Sequence, residues 1–241
     1  LNGLLTHRSR AMLGKKKQGA RNALGAALIL AFTAAPAAFA ADERGWYMGA
    51  NIGSAKAKDA DASDISAKFT GYTTVSTTVD DTDTGYKILA GYQFNKTWAI
   101  EVGYVDLGKI TADTTATGPA ATYRQESEGK GWSLDGVGTL QMGEKTKLFA
   151  KLGAFRWDMD SRCVKLSGTG SCNAPTDRSA SGTDLKYGVG FKYDFNKKVG
   201  LVVEWERYTD VGVDNRGATD KGKTGQSDMD FLSIGIRYNI F

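Results

Sequence analysis

The chain of 241 residues is 41% hydrophobic and 24% charged, with 30 Gly, 3 Pro, 2 Cys and one His, a composition that excludes collagen-like repeats and long disordered tails. Its formal charge of +4 belongs to the leading segment. Residues 1–40 hold six bases (Arg8, Arg10, Lys15, Lys16, Lys17 and Arg21) and no acid, which leaves a net −2 on residues 41–241. Nucleic acid is therefore not an expected partner. His7 lies in the same leading segment, so residues 41–241 must work without Ser-His-Asp, Cys-His or His-ligated metal chemistry.

The first predicted element is a secretory signal. Met12 is the expected start, Lys15-Lys16-Lys17 and Arg21 form a positive n-region, and Ala23 to Ala35 is apolar but too short to span a bilayer. Ala38-Phe39-Ala40 is a small-x-small cleavage site. Residues 1–40 are thus expected to be a signal peptide and residues 41–241 an exported unit. That unit contains no run of about 18 apolar residues, which excludes helical membrane spans.

Beyond residue 40 the hydrophobic period is 2. In Gly45 to Ser54, Trp46, Met48, Ala50 and Ile52 share one face, while Tyr47, Gly49, Asn51 and Gly53 share the other. The same alternation predicts strands at Gly85 to Phe94, Trp98 to Asp106, Trp132 to Met142, Leu148 to Trp157, Leu185 to Phe195, Leu201 to Tyr208 and Phe231 to Ile240. Each is close to the roughly 9–11 residues that a tilted strand needs to cross hydrocarbon.

The connections alternate in length. Polar segments near residues 55–84, 107–131, 158–184 and 209–230 alternate with short turns at Asn95 to Thr97, Gly143 to Lys147 and Asn196 to Lys198. In an up-and-down barrel every second connection lies on the same side, so the long loops gather on one rim and the tight turns on the other. Pro119 and Pro175 fall in long segments and no predicted strand carries a proline, as a closed ladder requires. The Thr, Ser and Asp richness of Thr70 to Thr84 suits strand extensions or a loop outside the membrane. A weak repeat pairs Tyr92-Gln93-Phe94-Asn95-Lys96 with Tyr193-Asp194-Phe195-Asn196-Lys197, marking two equivalent hairpins.

Side-chain volume then assigns the faces. One face carries Gly49, Gly53, Lys87, Gly91, Glu101, Gly103, Asp135, Lys151, Gly153, Gly188, Gly190, Lys192, Glu204, Glu206, Gly235 and Arg237, which suits a narrow polar interior. The other is aliphatic, with aromatic residues at strand ends: Trp46, Tyr92, Phe94, Trp98, Tyr193, Phe195 and Tyr238 toward the short turns, and Tyr86, Trp132, Tyr187 and Trp205 toward the long loops. Such a face is too bulky for the inside of eight strands, and two aromatic girdles around an aliphatic band belong at water–lipid boundaries. The expected fold is all-β, an eight-stranded antiparallel up-and-down transmembrane β-barrel.

Residues 41–241 resemble the eight-stranded transmembrane domain of outer membrane protein A and its small relatives. The resemblance rests on Gly91-Tyr92-Gln93-Phe94-Asn95, Ile100-Glu101-Val102-Gly103-Tyr104-Val105-Asp106-Leu107-Gly108, Lys151-Leu152-Gly153 and Glu204-Trp205-Glu206-Arg207-Tyr208. The last strand, with Ser233, Gly235, Tyr238, Ile240 and Phe241, resembles the signal read by the barrel assembly machinery, although Phe241 sits one place later than the usual ending. The resemblance implies an outer-membrane location with periplasmic termini and surface-exposed long loops. It also implies a lumenal charge cluster, which Glu101, Lys151 and Glu204 match. Val137 and Val202 stand where the family carries bases, and Lys192 where it carries an acid.

The charges expected to meet in the lumen are Lys87, Glu101, Asp135, Lys151, Lys192, Glu204, Glu206 and Arg237. An eight-stranded interior is only wide enough to be filled by side chains, so these groups either pair into a plug or stand separately hydrated. Cys163 and Cys172 are expected to form a disulfide in an oxidising compartment. Gly217 to Thr224 matches the phosphate-loop pattern but lacks the strand and helix that such a loop needs, and is read as a polar loop. Asp80, Asp81 and Asp83 are read as a solvated acidic stretch. No cofactor, metal or catalytic group is expected. The expected role is structural and surface-interactive in the cell envelope, with outer-membrane lipid and extracellular loop partners; the alternative is a small, low-conductance pore for ions or small solutes.

Overall fold

The computed structural model describes residues 44–60, 73–118, 120–168, 177–213 and 224–240. The expected signal peptide, Cys172, Phe241 and residues 217–223 of the phosphate-loop match lie outside the described residues. Nine strands follow in chain order: β1 (Gly45–Ala57), β2 (Thr74–Asp80), β3 (Thr82–Gln93), β4 (Trp98–Thr117), β5 (Ala121–Gln141), β6 (Thr146–Gly168), β7 (Asp177–Asp194), β8 (Val199–Val213) and β9 (Gly225–Asn239). Neighbours in the ring are antiparallel. β1 pairs with β3 and β9, and the β4–β5 ladder closes the circle.

The ninth strand does not widen the barrel. β2 and β3 lie end to end on the same edge of β4, β3 from Tyr86 to Gln93 and β2 from Thr74 to Asp80, separated by Asp81 alone. Eight staves therefore form the ring, as the alternation predicts. The β4 register slips between Asp106 and Lys109, where Gly108 takes φ +71°. Two carboxylates accept the amides freed there: Gly108 N–H donates to Asp106 Oδ1 at 2.9 Å and Lys109 N–H to Asp83 Oδ2 at 2.7 Å. The acidic stretch Asp80–Asp83 thus joins two ladders. Asp81 also lies 3.6 Å from Lys56.

Several expected loops are strands. Residues 107–117 and 121–131 continue β4 and β5, and 158–168 and 177–184 continue β6 and β7. Their alternation survives among polar residues: Ala112, Thr114 and Ala116 point inward, while Thr111, Asp113 and Thr115 point outward. Threonine and alternating cross-strand charges suit a pleated surface wet on one side. β6 alone has 23 residues, roughly 75 Å of chain at about 3.3 Å per residue, far more than a membrane crossing requires. The long-loop side is therefore an extended sheet.

Two short turns are built alike, as the repeat predicts. Asn95 Oδ1 accepts the amides of Thr97 and Trp98 at 2.8 and 2.9 Å. Asn196 Oδ1 accepts those of Lys198 and Val199 at 2.8 and 3.0 Å. Side-chain capping of this kind closes a tight reversal without leaving amides bare.

Candidate functional site

The barrel interior is layered: the narrow polar interior expected from the sequence lies between two apolar layers. Toward the short turns, Tyr47, Leu89, Ala99, Val137, Phe149 and Val202 form a buried apolar layer. Toward the long strands lies a larger one, containing Val105, Leu107, Phe155, Trp157, Met159, Tyr208, Val211, Met229 and Phe231. The charges occupy the level between them. Val137 and Val202, which depart from the family's charge pattern, belong to the lower apolar layer.

The middle layer holds four bases (Lys87, Lys151, Lys186 and Arg237) and four acids (Glu101, Asp135, Glu204 and Glu206), all buried. Lys151 Nζ lies 2.6 Å from Glu101 Oε2 and 2.8 Å from Glu204 Oε2. Lys87 contacts Glu204 and reaches Glu206 Oε2 at 2.5 Å. Lys186 bridges Asp135 Oδ2 at 2.7 Å and Glu206 Oε1 at 2.8 Å. Arg237 donates to Asn51 Oδ1 at 2.7 Å and lies 3.6 Å from Glu204. Because the signs balance and the groups interleave, the ions are compensated in a space that excludes bulk water.

The two apolar layers grip this cluster through polar edges. Tyr47 donates its hydroxyl to Glu101 Oε1 at 2.9 Å and Tyr208 to Glu206 Oε2 at 3.0 Å. The Lys151 ammonium stands 5.2 Å from the Phe149 ring centroid and that of Lys186 stands 5.3 Å from Tyr208, distances at which ring faces attract cations. Glycines make room for the large groups. At Gly85 an added Cβ would lie 2.8 Å from the Phe231 ring, and at Gly49 it would lie 2.7 Å from Arg237 Cδ.

Seven of the eight expected lumenal charges meet here. Lys192 does not: its Nζ pairs with Asp194 Oδ1 at 3.0 Å near the short turns, where both side chains are 17% exposed. Lys186 takes its place, a residue that sequence reasoning overlooked although it shares the inward parity of Gly188 and Gly190. In the last strand, Ser233 is buried in the lumen while Tyr238 and Ile240 are exposed on the outer face. Cys163 is disulfide-bonded.

Outside, the aliphatic band is bare. Ile52, Ile88, Val102, Leu134, Leu152, Val189, Ile234 and Ile236 are each exposed. Edge-to-face ring pairs border it: Trp46–Tyr92 at 5.2 Å and Tyr193–Phe195 at 5.6 Å on the short-turn side, Tyr104–Trp132 at 5.3 Å and Tyr187–Trp205 at 6.0 Å on the other. A continuous apolar belt between aromatic rims on a closed ring, enclosing a charged core, defines an integral outer-membrane β-barrel embedded in lipid.

The OmpA-like transmembrane domain family matches residues 41–241, and the chain belongs to that family. No curated protein matches it. Among solved structures, it is similar to Neisserial surface protein A, at 15% identity and a TM-score of 0.47, covering 83% of this chain and 100% of that one. It is also similar to OprG from Pseudomonas aeruginosa (15% identity, TM-score 0.42, 81% of this chain and 97% of that one). Ail, the attachment invasion locus protein of Yersinia pestis, in complex with the heparin analogue sucrose octasulfate, matches at 13% identity and a TM-score of 0.41, covering 81% of this chain and 99% of that one.

Proposed function

We propose that this barrel is a closed, non-catalytic anchor that holds a long β-sheet outside the membrane and acts through that projecting surface. The layered lumen carries the reading. An ion crossing it would have to displace one apolar layer, break a balanced cluster of four acids and four bases, and then displace a second apolar layer. Each step removes packing or uncompensates a buried charge, and the second alone is costly. The long β4–β5 and β6–β7 extensions are the surface that such an anchor would present to partners. In this reading the short turns and both termini face the periplasm and the long strands face outward. The barrel assembly machinery reads the lipid-facing Tyr238 and Ile240 together with Ser233, Gly235 and Phe241, and Cys172 joins Cys163 within one projecting connection.

Planar-bilayer conductance tests this against the small-pore alternative. Protein purified from outer membranes should insert without steady current, and E101Q and K151Q variants should show only brief, irregular openings. A large, steady current from folded wild-type protein would overturn the closed-anchor reading.

A further inference from the structure

The three tight turns and the strand ends beside them hold six bases (Lys96, Lys145, Lys147, Lys192, Lys197 and Lys198) and two acids (Glu144 and Asp194). Asp194 already faces two of the bases, with Lys192 Nζ 3.0 Å from its Oδ1 and Lys147 Nζ 3.7 Å from its Oδ2. The other four are exposed, and among the described residues Lys96, Lys145, Lys197 and Lys198 form no ion pair; neither does Glu144. The turns are pinned to the strands next to them. Asp194 N–H donates to Lys145 O, Asn239 N–H to Lys198 O and Thr139 N–H to Thr97 O, each at 2.7 Å. The lysine backbones are therefore fixed at one end of the ring, and Lys145 lies beside the Lys197-Lys198 turn.

Their height is that of lipid phosphates. Lys96 is two residues from both Phe94 and Trp98, and Lys197 is two from Phe195, so their Cα atoms stand about 5 Å beyond the aromatic rim for strands tilted by about 40°. The polar region of a leaflet is about 5–8 Å deep, and the flexible four-carbon stem of lysine lets its ammonium reach through that depth. A zwitterionic headgroup brings its own ammonium and offsets only its own phosphate. A headgroup of net negative charge also offsets the unpaired lysines, and each lysine near such a surface adds to the attraction. An apolar track leads away from the same turns: Leu148 of β6 and Phe191 of β7 stand in register, both exposed on the outer face.

We propose that the turns joining β5 to β6 and β7 to β8 seat the headgroup of an anionic glycerophospholipid, its phosphodiester among Lys145, Lys197 and Lys198 and its acyl chains along Leu148 and Phe191. Lysine serves such a phosphate as a point charge. The site needs only that the barrel lie in lipid; its assignment to the periplasmic leaflet rests on the proposed orientation of the short turns.

Native mass spectrometry of the full barrel released from nanodiscs of mixed phosphatidylcholine and phosphatidylglycerol tests it. Wild type should retain phosphatidylglycerol in preference to phosphatidylcholine, and K145Q/K197Q/K198Q should lower that retention roughly tenfold, a loss of the size expected when several lysines are removed from a charged surface. K58Q/K109Q/K165Q removes the same charge from exposed lysines beyond the opposite rim, at heights outside the headgroup region, and should retain the lipid like wild type. Heat-modifiable migration on gels confirms that each variant folds. Retention by K145Q/K197Q/K198Q equal to wild type, or no preference of wild type for phosphatidylglycerol, overturns the proposal. Equal losses in the two triple variants would trace the effect to net charge and overturn the site. Displacement by soluble glycerophosphoglycerol at the same concentration as the intact lipid overturns its lipid source. Both leaflets of a disc carry the lipid, so these outcomes do not depend on cellular orientation, which protease digestion of whole cells reads separately.

Discussion

At the scale of single residues, the lumen is a set of charges each held by more than one neighbour. Lys151 touches Glu101 and Glu204 at 2.6 and 2.8 Å, so K151M takes from Glu101 its nearest cation and from Glu204 one of the cations around it. Breaking a buried pair costs about 3–5 kcal/mol, and urea unfolding in lipid vesicles should show a loss of that size. The double variant E101Q/K151M should recover part of it by removing one of the orphaned charges; a double variant less stable than K151M would contradict the pairing. A different residue-scale test uses Gly85. Its replacement by Val drives a side chain into Phe231 and toward Asp106 O, 3.0 Å from the added Cβ, and the same unfolding assay should register about 1–3 kcal/mol of overpacking. Which charges share a face was legible in the alternation, as Glu101, Lys151 and Glu204 illustrate. Their grouping by height was not. Lys186 and Lys192 have the same parity, yet the staggered register carries one to Glu206 and the other to Asp194, and stagger is a property of the closed ring.

Strands and hairpins show where local pattern outruns or underreads the fold. The Asn95 and Asn196 turns follow directly from their repeated sequence because each is closed by one side chain acting on amides two and three residues ahead. The extensions of β4 to β7 are harder to read: most of their outward residues are polar, as Thr111, Asp113, Arg124, Glu126 and Asp160 show, so the apolar outer face that marks a lipid-facing strand is lost beyond the hydrocarbon. Cross-strand pairs hold these extensions instead. Arg124 grips Asp113 with two bonds of 2.7 and 2.8 Å, and the guanidinium holds the Asp113 carboxyl below its ordinary range. A carboxylate whose pKa is lowered by folding stabilises fully above its unfolded value and loses that contribution as pH falls through the lowered one. Amide protection at Thr111 to Thr117 should therefore decline on acidification in wild type. In D113N it should already be reduced at neutral pH and change less; identical pH profiles would show that the pair does not hold the hairpin tip.

Across the whole molecule, the inversion of an ordinary soluble fold is incomplete, and its incompleteness is informative. The belt is turned outward to lipid, but Phe155, Trp157, Tyr208 and Phe231 are turned inward, so the barrel keeps an apolar core of its own above the ions. Tryptophans report both environments. Trp132, 58% exposed at the aromatic rim, belongs to the lipid boundary. Trp157, 3% exposed, donates Nε1–H to Asp184 Oδ2 at 2.8 Å from inside the wall. Single-tryptophan variants keeping one or the other, reconstituted with lipids brominated near the carbonyl end of their chains, should separate them: strong quenching of Trp132 and little of Trp157. Removing the Asp184 bond with D184L should leave Trp157 shielded, since the ring is held by its packing within the inner layer as well as by that bond. Equal quenching of the two indoles would place Trp157 against lipid and would remove the upper apolar layer on which the closed lumen depends.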